Sequence, residues 1–258
     1  MKASVWLPIF LILGIIPVHA ATIATGLQPE LAAPPTGGTT YVNHAYRAEV
    51  DNIALVPRWV MYTLKGEIVI GCNKRRDNFH EEEQIAATHR ASPGDYDHSG
   101  YDKGHMAPAE DFALDPAEMS ESFSMANMAP QLPGLNRAEW EHLEETVRAW
   151  AFARGELIIF VGPVIPQHPQ TIGADHIAVP SAFWKVIWDR DKGEALTFMM
   201  PQKAIAKGDL KPWETTIAEV EKAAGVELPV ENVDPTAKPA LWPASIAGYR
   251  LEHKRACN

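Results

Sequence analysis

The sequence predicts an α+β fold, a mixed and largely antiparallel sheet with helices packed on it. Three observations carry this. Runs rich in β-branched and aromatic residues recur in both halves, at Leu55–Leu64, Leu157–Val161, Ala182–Trp188 and Ala195–Met200. Asp191-Lys192-Gly193 separates the last two runs, which marks a hairpin and so antiparallel pairing. One segment, Asn136–Ala153, repeats its apolar residues at helical spacing through Leu143, Val147, Trp150 and Ala151, and Gly155 sits just past its end.

Taken in order, residues 1–20 stand apart. Lys2 gives a positive start, Val5 to Val18 is apolar, and Val18-His19-Ala20 ends in a small residue. That is the layout of a secretory signal peptide cleaved near Ala20, with an apolar run too short to span a bilayer comfortably. An uncleaved anchor is the alternative. Residues 21–40 carry turn formers and little periodicity and read as a flexible lead-in. With no internal repeat and no linker, residues 41–258 read as a single domain. The pattern tightens from Tyr41, Leu55–Leu64 is β-rich, and Glu67–Cys72 is its expected partner strand across Lys65-Gly66. Residues 88–104 are polar and turn-rich, a loop feeding the segment that follows. Asp115-Pro116 is a cap followed by proline, opening a helix to about Met125. A further helix is expected from Pro212 to Ala224, closed by Gly225. The end of the chain, with Pro229, Pro235, Pro239 and Pro243, reads as irregular.

Of the 258 residues 46% are hydrophobic, ordinary for a chain that buries a core. Export implies an oxidising compartment, in which Cys72 and Cys257 are the only pair available. A bridge between them would pin the tail to the body, and two free thiols are the alternative. Their separation does not suggest a zinc site. Net charge is −10, and loss of Lys2 with the signal makes it −11. An acidic chain repels phosphates, so any nucleic-acid partner demands a local basic patch or a bound cation. Lys74-Arg75-Arg76 is the densest basic run.

The chemistry centres on Asp102-Lys103-Gly104-His105, with Pro108 beyond. Neutral imidazole is well suited to take a proton near pH 7, and a preceding glycine permits close backbone approach. A lone histidine is more often structural than catalytic. Asn136 opens a helix with Glu139 three residues on, so a capping box explains it, and a neutral oxygen ligand to a hard cation such as Mg²⁺ is the other reading. Glu144, eight residues later, lies roughly 12 Å along a helix, too far for both to ligate one ion easily. It is either an exposed charge or a partner of metal-bound water. Trp140 between them reads as a core anchor. Arg75 and Arg76 are solvated loop charges or a phosphate clamp, and Lys103 would meet a phosphate as a point charge.

Asp102-Lys103-Gly104-His105 with Pro108, Asn127-Met128-Ala129-Pro130-Gln131, Asn136, Trp140 and Leu143-Glu144, in that order, resemble the motif set of the DNA/RNA non-specific endonucleases of the ββα-metal finger type. Gly162-Pro163-Val164, Val179-Pro180 and Phe183-Trp184-Lys185-Val186 resemble the family's later strands, so the likeness covers roughly residues 55–225. It implies that His105 is the general base, that Asn136 is the direct ligand of one Mg²⁺ (with Mn²⁺ as a substitute), and that Glu144 acts through metal-bound water. Asn127 would support the geometry. An upstream arginine, Arg76 ahead of Arg75, would stabilise charge on the phosphorane, and 5′-phosphate ends would result. Lys103 stands where the family usually has arginine, which keeps charge but loses the bidentate fork.

The implied protein is a periplasmic or secreted endonuclease acting on DNA and RNA with little sequence specificity. It would have no stable membrane association after signal cleavage, and the sequence leaves a homodimer open. Its cleft would be locally basic from Lys74, Arg75, Arg76 and Lys103. A nucleic-acid-binding member without turnover, or an exported divalent-cation-binding protein, are the readings from other classes.

Overall fold

Residues 38–258 are described by the structure, a computed structural model, and they open with a meander of β1 (Thr39–Val42), β2 (Arg47–Val50) and β3 (Pro57–Lys65). The chain then leaves the sheet for β4 (Asp102–His105), α1 (Pro116–Glu121) and β5 (Met128–Gln131). A single turn, α2 (Pro133–Leu135), and a π-helical turn, Asn136–Trp140, lead into α3 (Glu141–Arg154). β6 (Glu156–Val164) returns to the sheet, and a small ribbon of β7 (Thr171–Ile172) and β8 (Ile177–Ala178) follows. β9 (Ala182–Asp189) and β10 (Glu194–Pro201) complete six antiparallel strands in the order β1-β2-β3-β6-β9-β10. Last come α4 (Ile217–Ala224) and α5 (Ile246–Ala256). The fold class is the one the sequence predicts. The signal-peptide expectation and most of the lead-in lie outside the described residues.

Strand alternation explains why the sheet strands read as unbroken apolar runs. On β3, Val60, Tyr62 and Leu64 enter a core shared with Leu143, Val147 and Trp150 of α3. Trp59 and Met61 point the other way, into a second core with Ile217 and Val220 of α4. Both faces are therefore covered by helix. Trp140 is fully buried with its ring 5.7 Å from that of Phe183, the core anchor expected of it.

Four local expectations fail. The helix expected from Pro212 begins only at Ile217, where Thr216 caps it, and Lys211–Trp213 is a separate 3₁₀ turn. Glu67–Cys72 is no strand, because β2 and β6 already flank β3 and leave no edge to pair with. Residues 66–70 turn instead, with the Ile68 and Val69 amides donating to the Lys65 carbonyl, and both side chains are buried. The helix after Asp115 is capped as read, the Asp115 carboxylate accepting from Ala117 and Glu118 N–H, but it stops at Glu121. Ser124 then caps a separate 3₁₀ turn over Met125–Asn127. The proline-rich end is irregular only to Ser245, which caps α5 by accepting from Gly248 N–H. Tyr249 of α5 is buried and donates to Val69 O, and a disulfide joins Cys257 to Cys72.

Candidate active site

β4 and β5 pair antiparallel, with Asp102 opposite Gln131, Lys103 opposite Pro130, Gly104 opposite Ala129 and His105 opposite Met128. The two motif segments are thus the two strands of one ribbon. Gly104 is required by closeness, since a Cβ there would sit 2.5 Å from Gln131 Oε1 and 2.6 Å from Gln131 Cβ. Beyond the ribbon, the buried amide of Asn127 clamps the chain that follows His105. Its Oδ1 accepts from Ala107 N–H at 2.9 Å, and its Nδ2 donates to the carbonyls of Ala107 and Ser122, both at 2.8 Å. Asn127 supports the site from behind and is not among the residues lining the cleft.

The π-helical turn brings Asn136 against the ribbon. Asn136 Nδ2 donates to Asp102 Oδ2 at 2.9 Å, and Arg137 grips the same carboxylate through Nε and Nη2. Because a carboxylate only accepts, Asp102 fixes which end of the amide faces it and leaves Asn136 Oδ1 for the cleft. The capping-box reading fails: Asn136 makes no capping bond, and Glu139 is buried and accepts from Gly208 N–H at 2.8 Å.

These elements enclose a cleft of about 560 Å³ lined by His105, Asn136 and Glu144 together with Arg75, Lys103, Glu110 and Arg148. His105 is 7% exposed, its Nε2 has no hydrogen-bond partner, and its ring packs edge-on against Phe123 at 5.0 Å. Burial, then the Arg75 charge, push its pKa down to about 3, so the imidazole is neutral at pH 7. Glu144 is not an exposed helix charge. Burial pushes its carboxyl up to about 7 against the opposing pull of Lys185 and Arg148. Beneath it, Arg148 Nη1 and Tyr62 Oη donate to the buried Asp111 at 2.9 and 2.8 Å. The fully buried Lys185 ammonium has no hydrogen-bond partner among the described residues and sits 5.1 Å from the centre of the Trp140 ring. Lys103 Nζ lies over the rings of Phe79 and Tyr96, at 5.4 and 5.5 Å.

The arginines are placed contrary to expectation. Arg75 lines the cleft, paired with Asp77 at 2.7 Å and Glu110 at 3.3 Å, whereas Arg76 opens into a different cleft. The two are neighbours on a segment outside any strand, and their side chains enter different clefts. The expected basic cleft is corrected too. Arg75, Lys103, Arg137 and Arg148 meet Asp77, Asp102, Glu110, Glu141 and Glu144, and Lys74 and Arg76 are absent. Carboxylates outnumber cations here, so a phosphate entering this cleft gains from an added cation. Among the described residues no three His, Cys, Asp or Glu side chains form a metal cage. What the cleft offers is an amide oxygen, a nearby carboxyl and room for water, which suits a hard ion that keeps most of its waters. Sequence reasoning missed Arg148, Asp111 and Tyr62, and placed Lys185 in a strand without giving it a role at the site. Arg148 had a signal in its four-residue spacing from Glu144 on one helix face.

A ribbon carrying a histidine and a helix delivering an amide and a carboxyl to the same cleft define a ββα site. The chain belongs to the DNA/RNA non-specific endonuclease family, whose profile matches residues 30–234. It is 32% identical over 190 residues to human mitochondrial endonuclease G, covering 68% of this chain and 64% of that protein. It is 32% identical over 209 residues to the mitochondrial nuclease of Saccharomyces cerevisiae, covering 72% and 63%. The chain therefore spans just under two-thirds of the length of these relatives. A nuclease of Nostoc sp. matches at 26% identity with 93% and 96% covered. Among solved structures, one of an EndoG/EndoGI complex matches with a TM-score of 0.71 at 28% identity, covering 79% of this chain and 91% of that one.

Proposed function

We propose that this protein is an exported, divalent-metal-dependent endonuclease that hydrolyses phosphodiester bonds of DNA and RNA with little sequence specificity. The observation that carries the reading is the convergence of three groups in one cleft: the unpartnered His105 Nε2, the Asn136 Oδ1 left over by Asp102, and Glu144. His105 accepts the proton of the attacking water, its ring kept neutral by burial and by Arg75. Asn136 would hold one Mg²⁺, or Mn²⁺ in its place, and Glu144 would hold it through a water. When bound, the ion supplies Lewis-acid charge at the scissile phosphate and the leaving oxygen. Arg75, in place of Arg76, offers its guanidinium to the phosphoryl oxygens as charge builds. Lys103 meets the phosphate as a point charge. Asn127 is a positioning residue that acts through the chain it clamps behind His105. The water oxygen bonds to phosphorus, the bond to the 3′-oxygen breaks, that oxygen takes a proton from solvent water, and the phosphate stays on the 5′ side.

Export to the periplasm or beyond rests on residues 1–20. Among the described residues no helix is long and apolar enough to cross a membrane. The human and yeast relatives carry "mitochondrial" in their names, which is said of those proteins. Incubation with plasmid DNA and with RNA, in Mg²⁺ and in EDTA, tests the reading. Mg²⁺-dependent fragments that a ligase rejoins without prior phosphorylation are the expected result. Retention of nucleic acid without cleavage in either Mg²⁺ or Mn²⁺ would instead make the protein a binding member of the family.

A further inference from the structure

Residues 71–79 form a ridge that belongs to no strand, and from Lys74 to Phe79 its side chains line two clefts in turn. Arg75, Asp77 and Phe79 face the cleft described above. Lys74, Arg76 and Asn78 face a second one, of about 400 Å³, whose opposite wall is Pro116, Met119 and Ser120. The ridge is held in place by the Cys72–Cys257 disulfide, by Asn73 Nδ2 donating to Leu114 O at 2.9 Å and by Asn78 Nδ2 donating to Ser120 Oγ at 2.7 Å. The two clefts differ in charge. Carboxylates outnumber cations in the first, whereas the second is lined by Lys74 and Arg76 and by no carboxylate. Both cations are exposed, and neither makes an ion pair or hydrogen bond among the described residues, on a chain whose net charge is −10. Two unneutralised cations one ridge away from a phosphodiester site are where a polyanion is drawn down.

We propose that the cleft floored by Lys74 and Arg76 binds a phosphodiester of the same nucleic-acid strand, away from the bond that is cut. It rests on nucleic acid being the ligand of the first cleft. Binding of a fluorescent 20-mer DNA duplex is followed by anisotropy in Mg²⁺ over a salt series, in a His105→Ala background so that the probe stays whole. Adding Lys74→Gln and Arg76→Gln flattens the slope of log K against log salt by about 0.9, the loss of one phosphate contact. Lys222→Gln with Lys238→Gln, the same charge change beside α4 on the far face of the sheet, leaves the slope in place. Circular dichroism confirms that each variant is folded. A slope for the Lys74/Arg76 pair equal to that of the control pair overturns the proposal. Cleavage by the wild-type protein, assayed in parallel, reads the underlying function separately: cutting with an unchanged slope sinks this proposal alone.

Discussion

Replacing Gly104 by alanine tests whether the ribbon's closeness is what places His105. The new Cβ would fall 2.5 Å from Gln131 Oε1, 2.6 Å from Gln131 Cβ and 3.0 Å from Ala129 O. The amide could swing aside, but Gln131 Cβ and the Ala129 carbonyl belong to the frame of β5 and cannot. Carbon contacts settle at 3.5 Å or more, so β4 and β5 must part by about 0.9 Å. Overpacking of this kind costs about 1–3 kcal/mol, which for a chain of this size lowers Tm by roughly 2–12 °C. His105 is the next residue, and a displacement near 1 Å costs on the order of 100-fold in rate. Gly208 is the control, because a Cβ there meets only Ala206 O at 3.9 Å. Tm by calorimetry and kcat on plasmid DNA are measured for both variants. A Gly104→Ala protein with wild-type Tm and kcat would refute the account of the ribbon.

Asn136→Ala should raise the Mg²⁺ concentration needed for half-maximal cleavage by tenfold or more, whereas Arg137→Ala, which loses only an exposed grip on Asp102, should change it far less. In EDTA, His105 and Glu144 should tilt stability in opposite directions with pH. His105 has a depressed pKa, so its unfolded form takes up a proton below about 6.5 and stability falls as pH drops from there toward 3. Glu144 has a raised pKa, so the folded form keeps its proton between about 4.5 and 7 and stability falls as pH rises through that window. The two tilts oppose each other in wild type, so urea midpoints at pH 5 and pH 8 should move apart in Glu144→Gln, with pH 8 the higher, and identical pH dependence in wild type and variant would contradict the raised pKa of this carboxyl. Cys72→Ser with Cys257→Ser opens a cross-link spanning 185 residues and should cost about 2–5 kcal/mol, read as a lower Tm in non-reducing buffer.

The sequence made legible what is encoded locally. Asp115-Pro116 predicts a capped helix start, Asp191-Lys192-Gly193 predicts the β9–β10 hairpin, and the glycine before His105 points to the close approach that Gln131 makes. Failures arise where a partner across space decides. Ile68 and Val69 are buried whether their segment is a strand or a turn, so apolar character could not choose between them. Asn136 satisfies a capping-box pattern, yet Asp102, brought in by another strand, takes its amide. Arg75 and Arg76 sit on a ridge outside any strand, held by contacts to Leu114 and Ser120 far along the chain, and nothing in the sequence says which arginine faces which cleft. Asp111, Tyr62 and Lys185 come from separate elements and meet only once the sheet is closed beneath α3.

The central claim is that one cleft works as a metal-assisted phosphodiesterase with His105 as its base. Supercoiled plasmid incubated with wild-type and His105→Ala protein, each in Mg²⁺ and in EDTA, tests it most directly. The account predicts nicking and fragmentation by the wild-type protein in Mg²⁺ alone, with His105→Ala at least 100-fold slower although folded. Cleavage that persists in EDTA, or a His105→Ala protein that cuts at the wild-type rate, would contradict it.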